Sequence, residues 1–356
     1  MRVGLDVRPL GGATGARGVG RYIRELIATL EQAEPKLELV RFERQRNAVG
    51  PDFIWGRLLG PSWLRALDID LWQATFLAPP RVPRDLPWVS TIHDLIPLRF
   101  PKHFPWKNRL VFARSLAWSS KADRVVAVSP FTADRIRERF PACRERVVVI
   151  PPSVALEWRD AQQPGIAGVD RPYLISLGGF DPLKGVEDLL LPAFQRLAQE
   201  RPELQLVLTG APSAWRDRIE RKLVGSALHG RVIFPGLLAP NAHAAAIAGA
   251  RAVVVSSREE GFGLPAIEGL ALGVAVAVGP AHATREAVGR AGHLARGDSW
   301  PDLADAIREA LEAGGPDSAD GAARREQAHR YHPSVIGPQW IELYRELTHH
   351  ARSATR

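Results

Sequence analysis

Short runs rich in apolar and β-branched residues alternate along this chain with longer stretches whose apolar positions recur every three or four residues. The short runs predict strands over residues 3–7, 37–42, 69–74, 88–92, 124–128 and 147–150. The longer stretches predict helices over 19–30, 106–120 and 130–140. Short buried strands separated by amphipathic helices signal a parallel sheet covered on both faces. After Ile150-Pro151-Pro152 the pattern lapses into a polar stretch containing Pro164 and Gly165 and ending at Pro172, a composition suited to an interdomain linker. A second strand series then runs over 173–177, 204–209, 232–234, 252–256 and 274–278. Near the end, Ile336, Trp340, Leu343 and Leu347 are spaced by 4, 3 and 4 residues and predict a last helix over 335–347. The expected fold class is α/β, with two Rossmann-like domains over 1–155 and 172–333 and a helical segment over 334–356.

A length of 356 residues agrees with two domains at the usual ~100–200 residues each. Hydrophobic residues make up 46% and charged residues 24%, which excludes a disordered or fibrous chain. No apolar run approaches the roughly 20 residues of a membrane span. Met1 leads directly into the first strand, without the basic and apolar regions of a secretion signal, so a soluble cytoplasmic protein is expected. Cys143 is the single cysteine, which excludes an internal disulfide and any CxxC site. Charge changes the picture more. Residues 1–150 carry 25 Lys and Arg against 15 Asp and Glu, a net of +10, whereas the remainder has 22 against 24. A basic half beside a near-neutral half suggests that the first half meets something anionic: a phosphorylated ligand, a membrane surface or nucleic acid.

Ligands of open parallel sheets bind beyond the carboxyl ends of the strands, so the loops after strands are where chemistry is sought. The first runs Gly11-Gly12-Ala13-Thr14-Gly15-Ala16-Arg17-Gly18-Val19-Gly20 and opens a helix whose N-terminal amides suit an anion. In the second, His93-Asp94 ends a strand, where a histidine can donate a hydrogen bond or shuttle a proton. The third, Gly178-Gly179-Phe180-Asp181-Pro182-Leu183-Lys184-Gly185, sets Lys184 near a helix start as a mobile charge for a phosphate. The fourth carries Glu260, then Gly261, Phe262, Gly263 and Leu264, then Pro265 in the first helical turn and Glu268 eight residues after Glu260. Two carboxylates around an amide cradle do not serve the phosphate; they suit neutral hydroxyls on either side of it, a sugar ring and a ribose. Residues 261–266 also match GxGxxA formally, with Glu286 20 residues on. Polar residues separate them from the preceding strand, which argues against a nicotinamide site.

The segment from Glu260 to Glu268 resembles the EX7E motif of the retaining glycosyltransferases of family 4, the glycosyltransferase group 1 proteins. The Gly18-Val19-Gly20-Arg21-Tyr22 loop, the 93–98 segment, Val128-Ser129-Pro130-Phe131-Thr132, Val149-Ile150-Pro151-Pro152 and the Lys184 loop occur in that family's order. The resemblance implies the GT-B fold, two Rossmann-like domains facing across a cleft with a C-terminal helix, here containing Trp340, crossing back to the first. It implies that Glu260 meets the transferred sugar and Glu268 the nucleotide ribose. Lys184, with amides of Gly261, Phe262, Gly263, Leu264, Gly18 and Gly20, would hold the diphosphate, and His93 would face the donor sugar. Where the family often has an arginine, this chain has Gly179; bacterial polysaccharide mannosyltransferases with a similar Gly-Gly-Phe-Asp segment resemble it more, which tilts the expected donor toward GDP-mannose.

Cations and amides on the phosphates stabilise the leaving nucleoside diphosphate, and no carboxylate is aimed at the anomeric carbon. The resemblance therefore implies retention by front-face substitution, with no metal and no cofactor. Asp68-Ile69-Asp70 mimics a DxD metal motif but falls at a strand start, as a structural element. A GT-B sugar-nucleotide epimerase shares fold and donor, and a basic nucleic-acid-binding protein is the rival from another class, although no nucleic-acid-binding motif is present. In the segment 106–121, Trp106, Leu110, Ala113 and Ala117 share a helical face expected to pack inward. Lys107, Arg114 and Lys121 form a stripe beside Val111 and Trp118 that suits a peripheral contact with an anionic bilayer, where lipid-linked acceptors would be found.

Overall fold

The structure is a computed structural model, and it describes residues 1–11, 18–43, 52–76, 80–155, 165–166, 169 and 172–354. Most of the proline- and glycine-bearing stretch expected as a linker, Pro164 included, and Gly12 to Arg17 of the first loop lie outside the described residues. The chain forms two compact units: Met1–Ser153 with Tyr331–Arg356, and Val154–Arg330.

The first unit is built on strands β1 (Arg2–Asp6), β2 (Glu38–Phe42), β3 (Leu71–Ala74), β4 (Trp88–Ile92), β5 (Arg124–Ala127) and β6 (Val147–Val149). They pair in parallel in the order β2-β1-β3-β4-β5-β6. Every residue of β3 and β4 is buried, as expected of central strands in a sheet covered on both faces, and the polar Gln73 and Thr91 among them bond to each other. The helices are α1 (Gly18–Ala33), α2 (Asp52–Ala66), α3 (Ile96–Arg99), α4 (Trp106–Ser119) and α5 (Pro130–Arg139). On α1, Tyr22, Ile23, Leu26, Ile27 and Leu30 share the buried face. Asp70, at the foot of β3, accepts from the Arg2 amide at 2.8 Å, and Asp68 accepts from the Arg2 guanidinium, so the DxD look-alike ties the foot of β3 to the start of β1.

The face of α4 differs from the expected one. Trp106, Leu110 and Ala117 are exposed and Ala113 is only half-buried, while Ser115, Leu116 and Ser119 are buried with Phe112 packed beside them. Two serines occupy the inner face because their small side chains let the helix lie close, and hydrophobicity alone points to the wrong stripe. Trp118 is partly buried, its indole N–H donating to the Pro80 carbonyl at 3.4 Å.

The second unit contains β7 (Tyr173–Leu177), β8 (Gln205–Thr209), β9 (Val232–Gly236), β10 (Ala252–Val255), β11 (Val276–Val278) and β12 (His293–Leu294). Their order is β12-β11-β10-β7-β8-β9, again with parallel pairing. The two-residue β12 is too short for a periodicity to reveal. Around this sheet run α6 (Leu191–Glu200), α7 (Ala214–Leu223), α8 (Pro240–Ala248), α9 (Leu264–Ala271), α10 (His282–Val288), α11 (Trp300–Glu312) and α12 (Ala319–His329). Phe194, Leu197, Leu206, Val254, Leu303 and Ile307 are among the residues that close its core.

The last helix, α13 (Pro333–Ala354), belongs to the first unit. Ile336, Trp340, Leu343 and Leu347 are all buried with Tyr344 in one cluster with Tyr22, Ile23 and Leu30 of α1 and Val3 and Leu5 of β1. The predicted helical spacing marks the buried face correctly.

Candidate active site

Strand order reverses direction between β7 and β10 in the second unit, because β8 and β9 lie to one side of β7 and β11 and β12 beyond β10. Such a switch point parts the loops that leave the two central strands and opens a crevice at their carboxyl ends. Lys184 follows β7 and Glu260 follows β10, so the strand order brings the two candidates together from 76 residues apart.

Lys184 ends a 3₁₀ turn, Pro182–Lys184, which Asp181 caps by accepting from the Leu183 amide at 3.2 Å. Ser256 Oγ donates to the Lys184 carbonyl at 2.7 Å, and the Arg258 amide donates to the Leu183 carbonyl at 2.8 Å, tying the two loops to each other. At the end of its side chain, Lys184 Nζ donates to Glu260 Oε1 at 2.7 Å. Ser257 Oγ donates to the same oxygen at 2.6 Å, so Glu260 Oε2 remains for a ligand. The pair is neither sealed nor fully solvated, with side-chain exposures of 26% and 20%. A cation and a carboxylate are thus held in contact at the crevice, each able to exchange its partner for a phosphate or a hydroxyl.

Gly179, which stands where the resemblance has arginine, adopts φ 109°, a conformation that an L side chain avoids. A Cβ there would meet nothing within 4 Å, so backbone conformation rather than lack of room separates this position from the arginine pattern. Gly261 is half-buried and Phe262 buried, so the Phe262 ring belongs to the core and only its main chain is placed to meet a ligand. Gly263 precedes α9 at φ 99°, and a Cβ on it would lie 2.3 Å from Thr284 Oγ1. This close approach lets α9 start at Leu264, with Pro265 in its first turn and no side chain capping the helix N-terminus.

Glu268, one turn into α9, is only 1% exposed. His243 of α8 reaches it, Nε2 standing 2.7 Å from Oε2. A buried carboxylate needs such a donor, and this partner is one that sequence reasoning missed. No motif marks it, because the contact spans 25 residues and depends on how α8 packs on α9.

The remaining candidates lie in the first unit. His93 follows β4 and is half-buried; its Nε2 is 2.8 Å from the Thr75 carbonyl, which can only accept, so the proton sits on Nε2 and Nδ1 is left as an acceptor. Burial lowers its pKa from 6.5 to about 4 against the opposing pull of that hydrogen bond, so the ring is neutral near pH 7. Tyr22 of α1 stacks edge-on against it at 4.7 Å between centroids, and Tyr22 Oη lies 3.2 Å from Thr91 Oγ1. Gln73 Nε2 donates to the same Thr91 oxygen at 2.9 Å, and Thr75 Oγ1 donates to the Asp6 carbonyl at 2.5 Å. Asp6 in turn accepts two bonds from the Arg8 guanidinium, at 2.8 and 2.7 Å. This polar layer was invisible in the sequence because its members come from a helix, a turn and separate strands and loops. Gly18 and Gly20 form the first turn of α1, so their amides are among those a helix leaves without internal acceptors. Among the described residues, no three His, Cys, Asp or Glu side chains are grouped to hold a metal ion. No helix among them is long and apolar enough to cross a membrane.

Comparison with known proteins places this geometry in context. The model of glycosyltransferase family 4 matches residues 16–158, and that of the glycosyl transferases group 1 matches residues 171–313. D-inositol 3-phosphate glycosyltransferase of Geodermatophilus obscurus is 34% identical over 54% of this chain and 46% of its own length. O-antigen chain mannosyltransferase B of Escherichia coli is 28% identical over 61% of this chain and 64% of its own. The chain thus spans about half to two thirds of the length of these curated relatives. The structure of Anabaena HepE in complex with UDP and glucose superposes with a TM-score of 0.69 at 18% identity, over 98% of this chain and 100% of that one, a likeness of fold. With the two family models between them covering both units, the chain belongs to glycosyltransferase family 4, the group 1 glycosyltransferases, and has the GT-B fold.

Proposed function

We propose that this protein transfers a hexose, with retention of anomeric configuration, from a nucleoside-diphosphate sugar to a hydroxyl of a glycan or lipid-linked acceptor. GDP-mannose is the leading donor. The observation that carries the reading is the contact of Lys184 with Glu260 at the switch point of the second unit, with Glu268 eight residues further on and buried in α9. In this reading Lys184 leaves Glu260 for the diphosphate, aided by amides at the start of α9. Glu260, still held by Ser257, accepts from sugar hydroxyls. Glu268 accepts from the ribose, and His93, in the first unit, offers Nδ1 to a sugar hydroxyl. The second unit is the nucleotide-sugar domain and the first the acceptor domain. The mannosyltransferase name among the relatives supports the choice of sugar, and UDP in the HepE structure supports a nucleoside diphosphate.

A thermal-shift panel of UDP, GDP, dTDP and ADP with their sugar conjugates tests this. At 100 times Kd the true nucleotide stabilises by about 2.7 kcal/mol. Glu268→Ala removes most of that gain. A panel in which no nucleotide moves the Tm rejects the donor assignment. Transfer should also persist in excess EDTA, since Lys184 and the helix amides neutralise the leaving group. Activity lost on chelation and restored by Mg²⁺ or Mn²⁺ counts directly against that.

The acceptor side has its own observation. Trp106, Leu110 and Val111 are 66%, 43% and 56% exposed on α4, with Lys107 and Arg114 exposed among them and Lys121 just beyond the helix. Exposed apolar groups interleaved with cations fit an anionic bilayer surface, where a lipid-linked acceptor would be presented.

A further inference from the structure

Glu268 carries a carboxylate that is almost wholly withdrawn from water, and its one oxygen Oε2 stands 2.7 Å from His243 Nε2. An ionised carboxylate accepts only, so the histidine is the donor and its proton is on Nε2. The imidazole is a rigid plate with two rotatable bonds, and its own helix is pinned at the start: Pro240 opens α8, and the His243 amide donates to the Ala239 carbonyl at 2.8 Å. A donor fixed in this way sets the plane of the carboxylate through one oxygen, and with it the direction of the other. The side chain of His243 is 20% exposed against 1% for Glu268, so the histidine lies on the solvent side of the acid it holds.

We propose that His243 is a positioning residue for nucleotide recognition: it holds Glu268 in the orientation that accepts from the ribose hydroxyls of the donor. This rests on the assignment of Glu268 to the ribose made above. The effect is indirect, so it must depend on the presence of those hydroxyls and not merely on a well-packed α8.

The test measures Kd by calorimetry for GDP and 2′,3′-dideoxy-GDP, and for UDP with its dideoxy analogue, on the full chain. The variants are His243→Ala, His243→Gln and Glu268→Gln. A hydrogen bond to a charged group supports a preference of about tenfold or more for the ribonucleotide in the wild type. His243→Ala should shrink that preference at least roughly threefold and leave dideoxynucleotide affinity nearly unchanged. His243→Gln, whose amide can reach the same oxygen, should recover most of it, and Glu268→Gln should abolish it. If His243→Ala lowers the Tm too far to assay, the Gln variant decides alone: its preference stays within about twofold of the wild type if the donor is what matters. A preference that collapses in a folded His243→Gln overturns the inference. So does an undiminished preference in His243→Ala beside a lost one in Glu268→Gln. An undiminished preference in Glu268→Gln rejects the ribose assignment itself, as does a wild type that binds neither nucleotide.

Discussion

At the scale of single residues, His93 shows how a neighbour decides what a side chain can do. A histidine beside an aspartate at a strand end invites a proton-shuttle reading, yet the Thr75 carbonyl takes the Nε2 proton and burial holds the ring neutral. The ring therefore serves as an acceptor near pH 7, and kcat should show no titration near the ordinary histidine pKa of 6.5 that Gln at this position removes. Stability carries the opposite signature. The folded-state pKa lies below the unfolded one, so between pH 4 and 6.5 the unfolded chain binds the extra proton. The contribution is fully present above 6.5 and is lost as pH falls through the window toward 4. Urea unfolding should show a slope from this group of at most about 1.4 kcal/mol per pH unit there. His93→Gln should flatten that slope, and an identical slope in the variant would show that the ring titrates normally. Lys184, Glu260 and Glu268 stand out in the sequence as candidates because the EX7E spacing and the loop lysine are local patterns. Ser256, Ser257, Asp181 and His243, which hold them, do not. Their hydrogen bonds, apart from the turn cap of Asp181 and the short reach of Ser257, join loops or helices that the sequence does not pair.

At the scale of elements, the strands and long helices were readable because a sheet covered on both faces demands short, mostly apolar, β-rich runs and a covering helix an amphipathic stripe. The helix α13 is the clear success, since its apolar positions are large and few: Trp340 and Tyr344 are almost fully enclosed. The helix α4 is the clear failure. Its inner face uses Ser115 and Ser119, whereas Trp106 and Leu110 stay outside, so a hydrophobic ranking inverts the two sides. That inversion strengthens the case for a surface contact, because the large apolar groups and the cations now share one exposed region. Lys107 lies 5.8 Å from the Trp106 ring centre and Lys121 5.1 Å from that of Trp118, leaving their charges close to the rings they flank. Co-sedimentation with vesicles containing anionic lipid should show binding that weakens with salt. Changing Lys107, Arg114 and Lys121 together to Glu should remove it, with each basic residue worth ~1 kcal/mol at such a surface. Trp106→Ser should weaken it without changing the salt dependence. Absence of binding at low salt would leave a freely diffusing acceptor.

At the scale of the whole molecule, the chain leaves its first unit, builds the second and returns to the first with α13. The two ends of the chain thus share one core, in which Trp340 of α13 is 1% exposed among side chains from α1 and β1. The residues proposed to bind the nucleotide diphosphate and ribose, Lys184, Glu260 and Glu268, lie wholly in the other unit, and the core cluster around Phe194 and Leu206 in that unit includes no residue of α13. Damage to one unit should therefore be separable from ligand binding in the other. Trp340→Ala removes a large enclosed side chain and should destabilise the first unit by about 3–5 kcal/mol, the usual cost of an aromatic-to-alanine cavity. Calorimetry of this variant should show a first transition moved to lower temperature and a second that still rises on addition of GDP or UDP. Glu268→Gln should do the reverse, leaving the first transition in place and removing the nucleotide's effect on the second. If Trp340→Ala instead abolishes the nucleotide-dependent shift, the two units unfold as one cooperative body, and packing in one is not separable from binding in the other.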